Sequence, residues 1–439
     1  MAAPPVRQLL EAVQRLQPVR VETLQEHFGV SQQTLSRWLR DAGDLICRMG
    51  RTRGALYART RSLPELGTRV PVHRVDEAGQ LHRAGTLHFL SNGGTWLEQA
   101  NGPGERFEGL PPFVEEMSPQ GYMGRGFHER HPDLGLPLRT TDWNEDQVLI
   151  ALARRGEDCT GDLILGQESL DRYLATQVHA VHRDSYPELA RSFLAEGAGS
   201  SAGGEQPKFA VHADGRHVLV KFADASEGRA GQRWRDLLAS EALALEAVRA
   251  AGIDAATARW FDLRDHRFLE VERFDRVGLR GRRALLSLRA IDNEYIRLGT
   301  NWTEVSLRLL AERRLPPEDV RRIRWLDVFG QLIGNIDRHL GNVSCFVEAS
   351  GRFRLAPLYD MLPMVFAPDG AHLVERTFRP AAPTSNTLDV WADAAGHALK
   401  YWDRLIVSQD LSEEFRQRCA TCRGQLAELI ARVPLHGTV

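Results

Sequence analysis

One stretch near the carboxyl end of the chain carries acidic and amide side chains at a fixed spacing. In GNIDRHLGN, which begins at Gly334, Asp337 precedes Asn342 by five residues, and Asp360 follows within LYDMLP. Oxygen atoms of such side chains suit Mg²⁺, which takes one or two protein carboxylates and keeps several waters in nucleotide sites. The apolar residues before the stretch predict a buried helix, and those after it predict a hairpin. We therefore expect a helix, a polar loop and a hairpin to follow one another and to present these polar side chains together.

This spacing is the one that protein kinases use. In those enzymes the first aspartate accepts the proton of the attacking hydroxyl, and the asparagine and the second aspartate hold magnesium ions. Asp337, Asn342 and Asp360 occur in that order. For an isolated pair at this spacing, surface charges in a polar loop are the more common explanation, so the interpretation depends on the rest of the chain.

Lysine is rare in this sequence. Of its 56 basic residues, only Lys208, Lys221 and Lys400 are lysines, and the others are arginines. A phosphate site that needs a compact ammonium on a flexible stem cannot easily use the planar fork of arginine. Two alternating segments, 209–212 and 217–222, predict paired strands, and Lys221 lies near the end of the second, where a kinase holds its phosphate-contacting lysine. Lys208 and Lys221 are therefore candidate phosphate ligands.

The segments around these lysines also suit a nucleotide site. The first half of 197–223 is rich in glycine and serine, so its backbone N–H groups can approach an anion, although it does not match a Walker loop. A predicted helix contains Glu241, which is either a partner of Lys221 or a solvated charge. A later strand ends near Glu272 and Phe274, where a kinase hinge would bind adenine.

The first 61 residues have a different character. Their pattern predicts three helices followed by two short strands around a basic turn, which is typical of a winged helix-turn-helix. Ten arginines and five acidic residues give this segment a net charge of about +5, which favours DNA binding over a small helical docking domain. The candidate DNA contacts, on the third helix and the wing, are Gln32, Gln33, Ser36, Arg37, Arg40, Arg51 and Arg53.

Length and composition set broad limits. A chain of 439 residues exceeds the usual single domain, so several domains are expected. Hydrophobic residues make up 43% and charged residues 26%, as in chains that bury large cores. No apolar run approaches about 18 residues, and the start of the sequence lacks the apolar core of a signal peptide. We therefore expect a cytoplasmic protein with no membrane partner.

Five motifs together resemble one family, the HipA-like serine/threonine kinase toxins. They are SAGGEQPK at 201–208, the strand ending at Lys221, VERFDR at 271–276, GNIDRHLGN at 334–342 and LYDMLP at 358–363. DCTGDL at 158–163 and an LPPF segment also resemble the amino-terminal subdomain of that family. The resemblance extends over about residues 65 to 430, and the order of the motifs makes it specific.

The resemblance implies an atypical bilobal protein kinase of α+β class that uses ATP and Mg²⁺. It assigns Asp337 as the catalytic base, Lys221 as a phosphate contact, and Asn342 and Asp360 as metal ligands. It also implies that phosphorylation of Ser201, or of the adjacent Ser200, ejects the glycine-rich loop and switches the enzyme off. The implied ATP-binding residues are Gly203, Gly204, Lys208, Lys221, Glu272, Phe274, Asn342 and Asp360.

The sequence departs from typical family members in its first domain. Those members bind a separate helix-turn-helix antitoxin, whereas this chain resembles a single-chain branch, so the need for an antitoxin stays open. The protein substrate also stays open, although some relatives phosphorylate an aminoacyl-tRNA synthetase. The expected domains are a winged helix-turn-helix (1–61), a small β-rich subdomain (62–141), a kinase N-lobe (142–280) and a helical C-lobe (281–439).

Two other functions fit the same residues. The acidic residues, with His339, could position metals for cleavage of DNA that the first domain delivers. Alternatively, the chain could be a transcriptional regulator that keeps a kinase fold only as a non-catalytic sensor. Retention of the Asp-Asn-Asp set together with Lys221 favours an active kinase over a sensor.

Overall fold

A computed structural model describes residues 4–52, 54–119, 121, 124, 126–194 and 206–433. It divides into two compact units. The first consists of the described residues up to 118 with 134–137 and 141–177, and the second of 119–133, 138–140 and the described residues from 178 on. No helix within the described residues is long and apolar enough to cross a membrane.

The elements are numbered along the chain. The helices are α1 (Pro4–Leu16), α2 (Val21–Phe28), α3 (Gln32–Ala42), α4 (Pro112–Met117), α5 (Phe127–Arg130), α6 (Glu145–Arg155), α7 (Gln167–Ala175), α8 (Tyr186–Phe193), α9 (Gly228–Ala250), α10 (Leu288–Ile291), α11 (Trp302–Ala311), α12 (Pro317–Leu332), α13 (Leu388–Val407) and α14 (Glu413–Arg432). The strands are β1 (Val19–Arg20), β2 (Ile46–Met49), β3 (Leu56–Arg59), β4 (Arg69–Val75), β5 (Leu81–Phe89), β6 (Thr95–Gln99), β7 (Glu105–Phe107), β8 (Leu163–Leu165), β9 (Lys208–Ala213), β10 (Arg216–Asp224), β11 (Ala258–Leu263), β12 (His266–Glu272), β13 (Arg276–Val277), β14 (Gly281–Arg282), β15 (Leu285–Ser287), β16 (Ser344–Val347) and β17 (Phe353–Leu355).

The first unit begins with three helices and a small sheet. Leu9 and Val13, four residues apart on α1, form the core with Leu24 of α2 and Leu35 of α3. The hydroxyl of Ser31 accepts a hydrogen bond from the Thr34 N–H at the start of α3, which satisfies one of the free N–H groups of the helix end. Strands β1, β3 and β2 form an antiparallel sheet beside the helices. The predicted helices and hairpin are thus present, and their identity as a DNA-binding winged helix stays a prediction.

A five-stranded antiparallel sheet completes the first unit. Its strand order is β7-β6-β5-β4-β8, so the late strand β8 pairs with β4. Val72, Leu87 and Phe89 from the sheet pack against Leu149 and Leu152 of α6. Strands therefore make up much of residues 69–107, α6 supplies one side of the core, and the predicted subdomain with its bounds stays a prediction.

The second unit contains an antiparallel sheet with the order β11-β12-β10-β9. The aromatic residues Phe209, Phe222 and Phe268 each follow a basic residue in their strand and form a buried cluster with Tyr186 of α8. Helix α9 contacts β10, β11 and β12 on one side and α13 on the other. Because α9 is covered from both sides, most of its side chains are buried, including the charged Glu241.

The rest of the second unit is mainly helical. Each of the helices α11 to α13 packs against the next helix along the chain. The large buried side chains of these helices include Trp302, Phe329 and Trp402. Helix α12 ends just before Gly334, whose φ of +74° is in the left-handed region that glycine tolerates. A Cβ at this position would lie 2.9 Å from Cγ1 of Val365. The predicted helix therefore stops here, and the polar loop begins.

Candidate active site

The conformation of the polar loop after α12 is held by hydrogen bonds between its own side chains and backbone. The side-chain oxygen of Asn335 accepts a hydrogen bond from the N–H of Asp337 (3.0 Å), and the Asn342 side-chain nitrogen donates to the Asp337 carbonyl oxygen (2.8 Å). Asp337 is exposed, whereas Asn335 and Asn342 are buried. The two amides thus fix the backbone on both sides of Asp337 and leave its carboxylate accessible to a substrate.

A buried carboxylate anchors the same loop from α12. Asp327 is 3% exposed and accepts hydrogen bonds from the Arg338 Nε (3.1 Å) and the Thr303 hydroxyl (2.8 Å). Arg338 also donates to the Asn335 carbonyl oxygen. Sequence reasoning missed Asp327, although an acidic residue inside the apolar run 325–329 was a usable signal, because a buried charge needs a partner.

The structure brings Lys221 and Asp360 together. The Lys221 Nζ donates to both carboxylate oxygens of Glu241 at 2.8 Å and to Oδ1 of Asp360 at 2.5 Å. The side chains of Lys221 and Glu241 are 6% and 0% exposed, and that of Asp360 is 28% exposed. The interpretation of Glu241 as a solvated helix charge is therefore wrong, and the paired alternative is correct.

Lys221, Glu241 and Asp360 form a triad in which the ammonium group attracts both carboxylates. Burial alone would lower the pKa of Lys221, but the Asp360 and Glu241 carboxylates raise it above its ordinary value. Burial alone would likewise raise the pKa of Asp360, but Lys221 and Lys208 lower it to about 2. The pKa of Glu241 is raised because burial outweighs the attraction of Lys221. At neutral pH, Lys221 and Asp360 are both charged.

The second candidate lysine lies directly across the sheet. Lys208 on β9 is the cross-strand partner of Lys221 on β10 in an antiparallel pair, so both side chains project from one face. Like charges directly opposite destabilise a sheet. The Asp360 carboxylate, whose pKa both lysines lower, offsets part of that repulsion. Two ammonium groups on one face suit a ligand with several phosphate groups.

The donor set fits a hydrated magnesium ion. The side-chain nitrogen of Asn342 donates to the loop, so its oxygen is the group that can ligate a cation, and Asp360 supplies a carboxylate. Within the part of the chain that the structure describes, no group of three or more His, Cys, Asp or Glu is placed to hold a metal. Two oxygen ligands nevertheless suffice where phosphates and waters complete the shell of Mg²⁺.

The predicted hinge is only partly available to a ligand. The N–H of Glu272 donates to the Thr257 carbonyl oxygen (2.8 Å), and its carboxylate lies 3.6 Å from Arg216. The Phe274 ring packs 5.7 Å from that of Tyr359. Adenine recognition at Glu272 would therefore use its carbonyl or a neighbouring residue, and the role of both hinge residues stays a prediction.

Several predicted residues lie outside the described part of the chain. They are Arg53, Ser200, Ser201, Gly203 and Gly204. Their roles stay predictions based on the family resemblance and on the predicted wing.

The predicted DNA-contacting residues of α3 share one face. Gln32, Gln33, Ser36, Arg37 and Arg40 are all exposed, while Leu35 between them is buried. Among the described residues, no carboxylate forms an ion pair with Arg37 or Arg40. The wing residue Arg51 is exposed too, and it donates to the Gln99 carbonyl oxygen (3.0 Å).

Comparison with known proteins identifies the family. Residues 66–174 match the model of the YjjJ-like toxin middle domain, and residues 200–426 match that of the HipA-like C-terminal domain. The chain is 33% identical over 437 residues to Toxin YjjJ of Escherichia coli (strain K12), covering 95% of this chain and 97% of that protein. The chain belongs to the HipA-like toxin family. The family resemblance predicted from the five motifs is thereby confirmed.

Two solved structures are similar to this HipA-like toxin at lower identity. The first is the HipA toxin–antitoxin system of Shewanella oneidensis MR-1 with HipB and its operator DNA. That match is 18% identical, covers 73% of this chain and 84% of the other, and has a TM-score of 0.49. The second is the proinflammatory kinase CtkA of Helicobacter pylori, at 15% identity, with 51% and 92% covered and a TM-score of 0.36.

Proposed function

We propose that this HipA-like toxin is a serine/threonine protein kinase that transfers the γ-phosphate of ATP to a protein hydroxyl. The observation that carries the proposal is the triad in which Lys221 bonds to Glu241 and to Asp360. Protein kinases need this lysine–glutamate pair and the metal-binding aspartate in place at the same time. The closed loop that presents the exposed Asp337 supplies the remaining group.

The reaction follows from these side chains. Lys221 and Lys208 hold the phosphates of ATP, and Asp337 accepts a hydrogen bond from the hydroxyl of the substrate. The hydroxyl oxygen bonds to the γ-phosphorus while the bond from that phosphorus to ADP breaks. The proton passes to Asp337, and ADP leaves with the electron pair. Asn342 and Asp360 would hold Mg²⁺, which when bound neutralises charge on the phosphate oxygens.

The proposal includes regulation by the chain's own serines. Ser201, or the adjacent Ser200, is the proposed site of autophosphorylation, and the added charge would hold the enzyme in its inactive state. These residues precede Lys208 by eight and seven positions in the same glycine- and serine-rich segment, and a phosphate on either would compete with ATP for this cation.

Intact-mass spectrometry tests the proposal. We expect purified protein incubated with ATP and Mg²⁺ to gain about 80 Da per phosphate, to lose it with phosphatase, and to carry it on peptide 197–208. A parallel incubation with supercoiled plasmid and no nucleotide should leave the DNA intact. Absence of transfer to the chain itself and to a cell extract, with Mg²⁺ or Mn²⁺, would contradict the kinase proposal. Plasmid cleavage would favour the nuclease alternative.

We also propose that the first domain binds duplex DNA through α3. The support is the exposed face that carries Arg37 and Arg40 without carboxylate partners among the described residues. Such arginines would neutralise phosphates, and the neighbouring glutamines would contact base edges in the major groove.

A double variant, Arg37→Gln with Arg40→Gln, should weaken binding to DNA of any sequence. The slope of log K against log salt concentration should become less negative by about 2, because each phosphate-contacting arginine contributes about 1. Fluorescence anisotropy with labelled duplexes at several salt concentrations measures this. Arg259→Gln, which removes an exposed arginine on β11, is the matched control and should leave the slope unchanged. An unchanged slope in the double variant would exclude this face.

A further inference from the structure

We infer that the hydroxyl of Tyr359 is a positioning group that fixes the distance between the two metal ligands of the proposed kinase site. This inference rests on the proposed function. Tyr359 immediately precedes Asp360, and its hydroxyl donates a hydrogen bond to the carbonyl oxygen of Gly341 (2.8 Å), the residue before Asn342. A single side chain therefore connects the backbone beside one metal ligand to the backbone beside the other.

The hydrogen bonds of Tyr359 have a defined direction. Its hydroxyl has one proton, which it gives to Gly341, so the bond to the hydroxyl of Ser344 at 2.8 Å must be donated by the serine. Ser344 is 3% exposed and lies on β16. Without the tyrosine oxygen, the Gly341 carbonyl would lose this donor and the buried Ser344 hydroxyl would lose this acceptor, which costs more than losing a solvated bond.

Asp360 needs such an anchor. Its φ of +57° lies in the left-handed region, which a non-glycine residue holds only when its surroundings fix it. On the amino-terminal side, Leu358 donates to the Asp254 carbonyl (2.9 Å) and accepts from Ala256 (2.8 Å), so the chain is held up to residue 358. The hydrogen bond from the Tyr359 hydroxyl to Gly341 holds the next residue as well, immediately before Asp360. Lys221 then fixes the carboxylate itself.

The tyrosine ring and its hydroxyl have separable contacts. The ring packs against Phe274, with 5.7 Å between the ring centroids, and this contact does not involve the oxygen. Tyr359→Phe therefore keeps the packing and removes the link to Gly341 and Ser344. Loss of a group that orients metal ligands typically costs 10–100-fold in metal affinity or activity.

Binding of Mn²⁺ tests the inference without relying on turnover. Electron paramagnetic resonance of free Mn²⁺, in the presence of a non-hydrolysable ATP analogue, gives the half-saturating concentration for the full-length protein. In Tyr359→Phe we expect this concentration to rise about tenfold. Binding of the analogue without metal should be unchanged, because Lys221 and Lys208 remain in place. Ser344→Ala keeps the hydrogen bond from Tyr359 to Gly341. It should therefore raise the half-saturating Mn²⁺ concentration less than Tyr359→Phe does.

The outcomes separate the inference from the proposed function. Tyr57→Phe, which removes a partly buried hydroxyl from β3 in the first unit, is the matched control and should match the wild type. An unchanged half-saturating concentration in Tyr359→Phe would overturn the inference alone. The inference would also be overturned if Tyr359→Phe weakened analogue binding equally with and without metal and lowered the melting temperature. Those changes would indicate general destabilisation of the protein. A wild-type protein that binds neither the analogue nor Mn²⁺ would overturn both proposals.

Discussion

Replacing Asp337 by asparagine should slow phosphotransfer by about 10²–10⁴-fold, the usual contribution of a general base. Asparagine has nearly the same shape but cannot accept the proton of the attacking hydroxyl. The contacts that shape the loop involve the backbone of Asp337, through Asn335 and Asn342, so the substitution preserves them. Because Asp337 is exposed, folding should be unaffected. Single-turnover transfer of labelled γ-phosphate measures the effect, and the dissociation constant for ATP should change little.

A matched substitution controls for the loss of a surface charge. Asp265 is exposed in the turn between β11 and β12 and can also be replaced by asparagine. Asp265→Asn should transfer phosphate at the wild-type rate. If Asp337→Asn kept its transfer rate within about threefold of the wild type, a group other than Asp337 would be the base. A variant that lost ATP binding as well would show that Asp337 acts in the ground state.

Local patterns were sufficient to predict the elements that present the site. The helix before the loop, the hairpin after it and the strand that holds Lys221 each depend on apolar periodicity and turn residues, which act over short distances in sequence. The rarity of lysine added a separate indication, because it selected Lys208 and Lys221 from 56 basic residues. The cross-strand register then placed those two residues opposite each other.

Long-range contacts were beyond such reasoning. Lys221 and Asp360 are 139 residues apart in sequence. Glu241 is an acidic residue in a helix whose sequence pattern alone is compatible with exposure or burial of its side chain. Only the packing of α9 between the sheet and α13 decides that it is buried. The roles of Asp327 and Tyr359 likewise depend on which loop atoms face them. Tertiary packing, rather than propensity, sets these contacts.

Replacing Lys221 by methionine should abolish phosphotransfer and also destabilise the fold. The substitution removes the cation between the carboxylates of Glu241 and Asp360, of which Glu241 is fully buried. Breaking a buried ion pair by removing one partner costs about 3–5 kcal/mol, because the remaining charge has no compensation. Urea unfolding measures the loss, and transfer of labelled γ-phosphate measures activity. Lys400→Met, on the exposed side of α13, removes the third lysine and should change neither.

The pH dependence of that destabilisation identifies its cause. Burial already raises the pKa of Glu241 in the presence of Lys221, so loss of the cation raises it further. A carboxyl whose folded pKa lies above its unfolded value favours folding most at low pH, so the deficit of Lys221→Met should shrink as the pH falls from 7.5 toward 5. Adding Glu241→Gln should recover part of the stability without restoring transfer. A deficit that is independent of pH and unaffected by Glu241→Gln would instead indicate lost packing around the lysine stem.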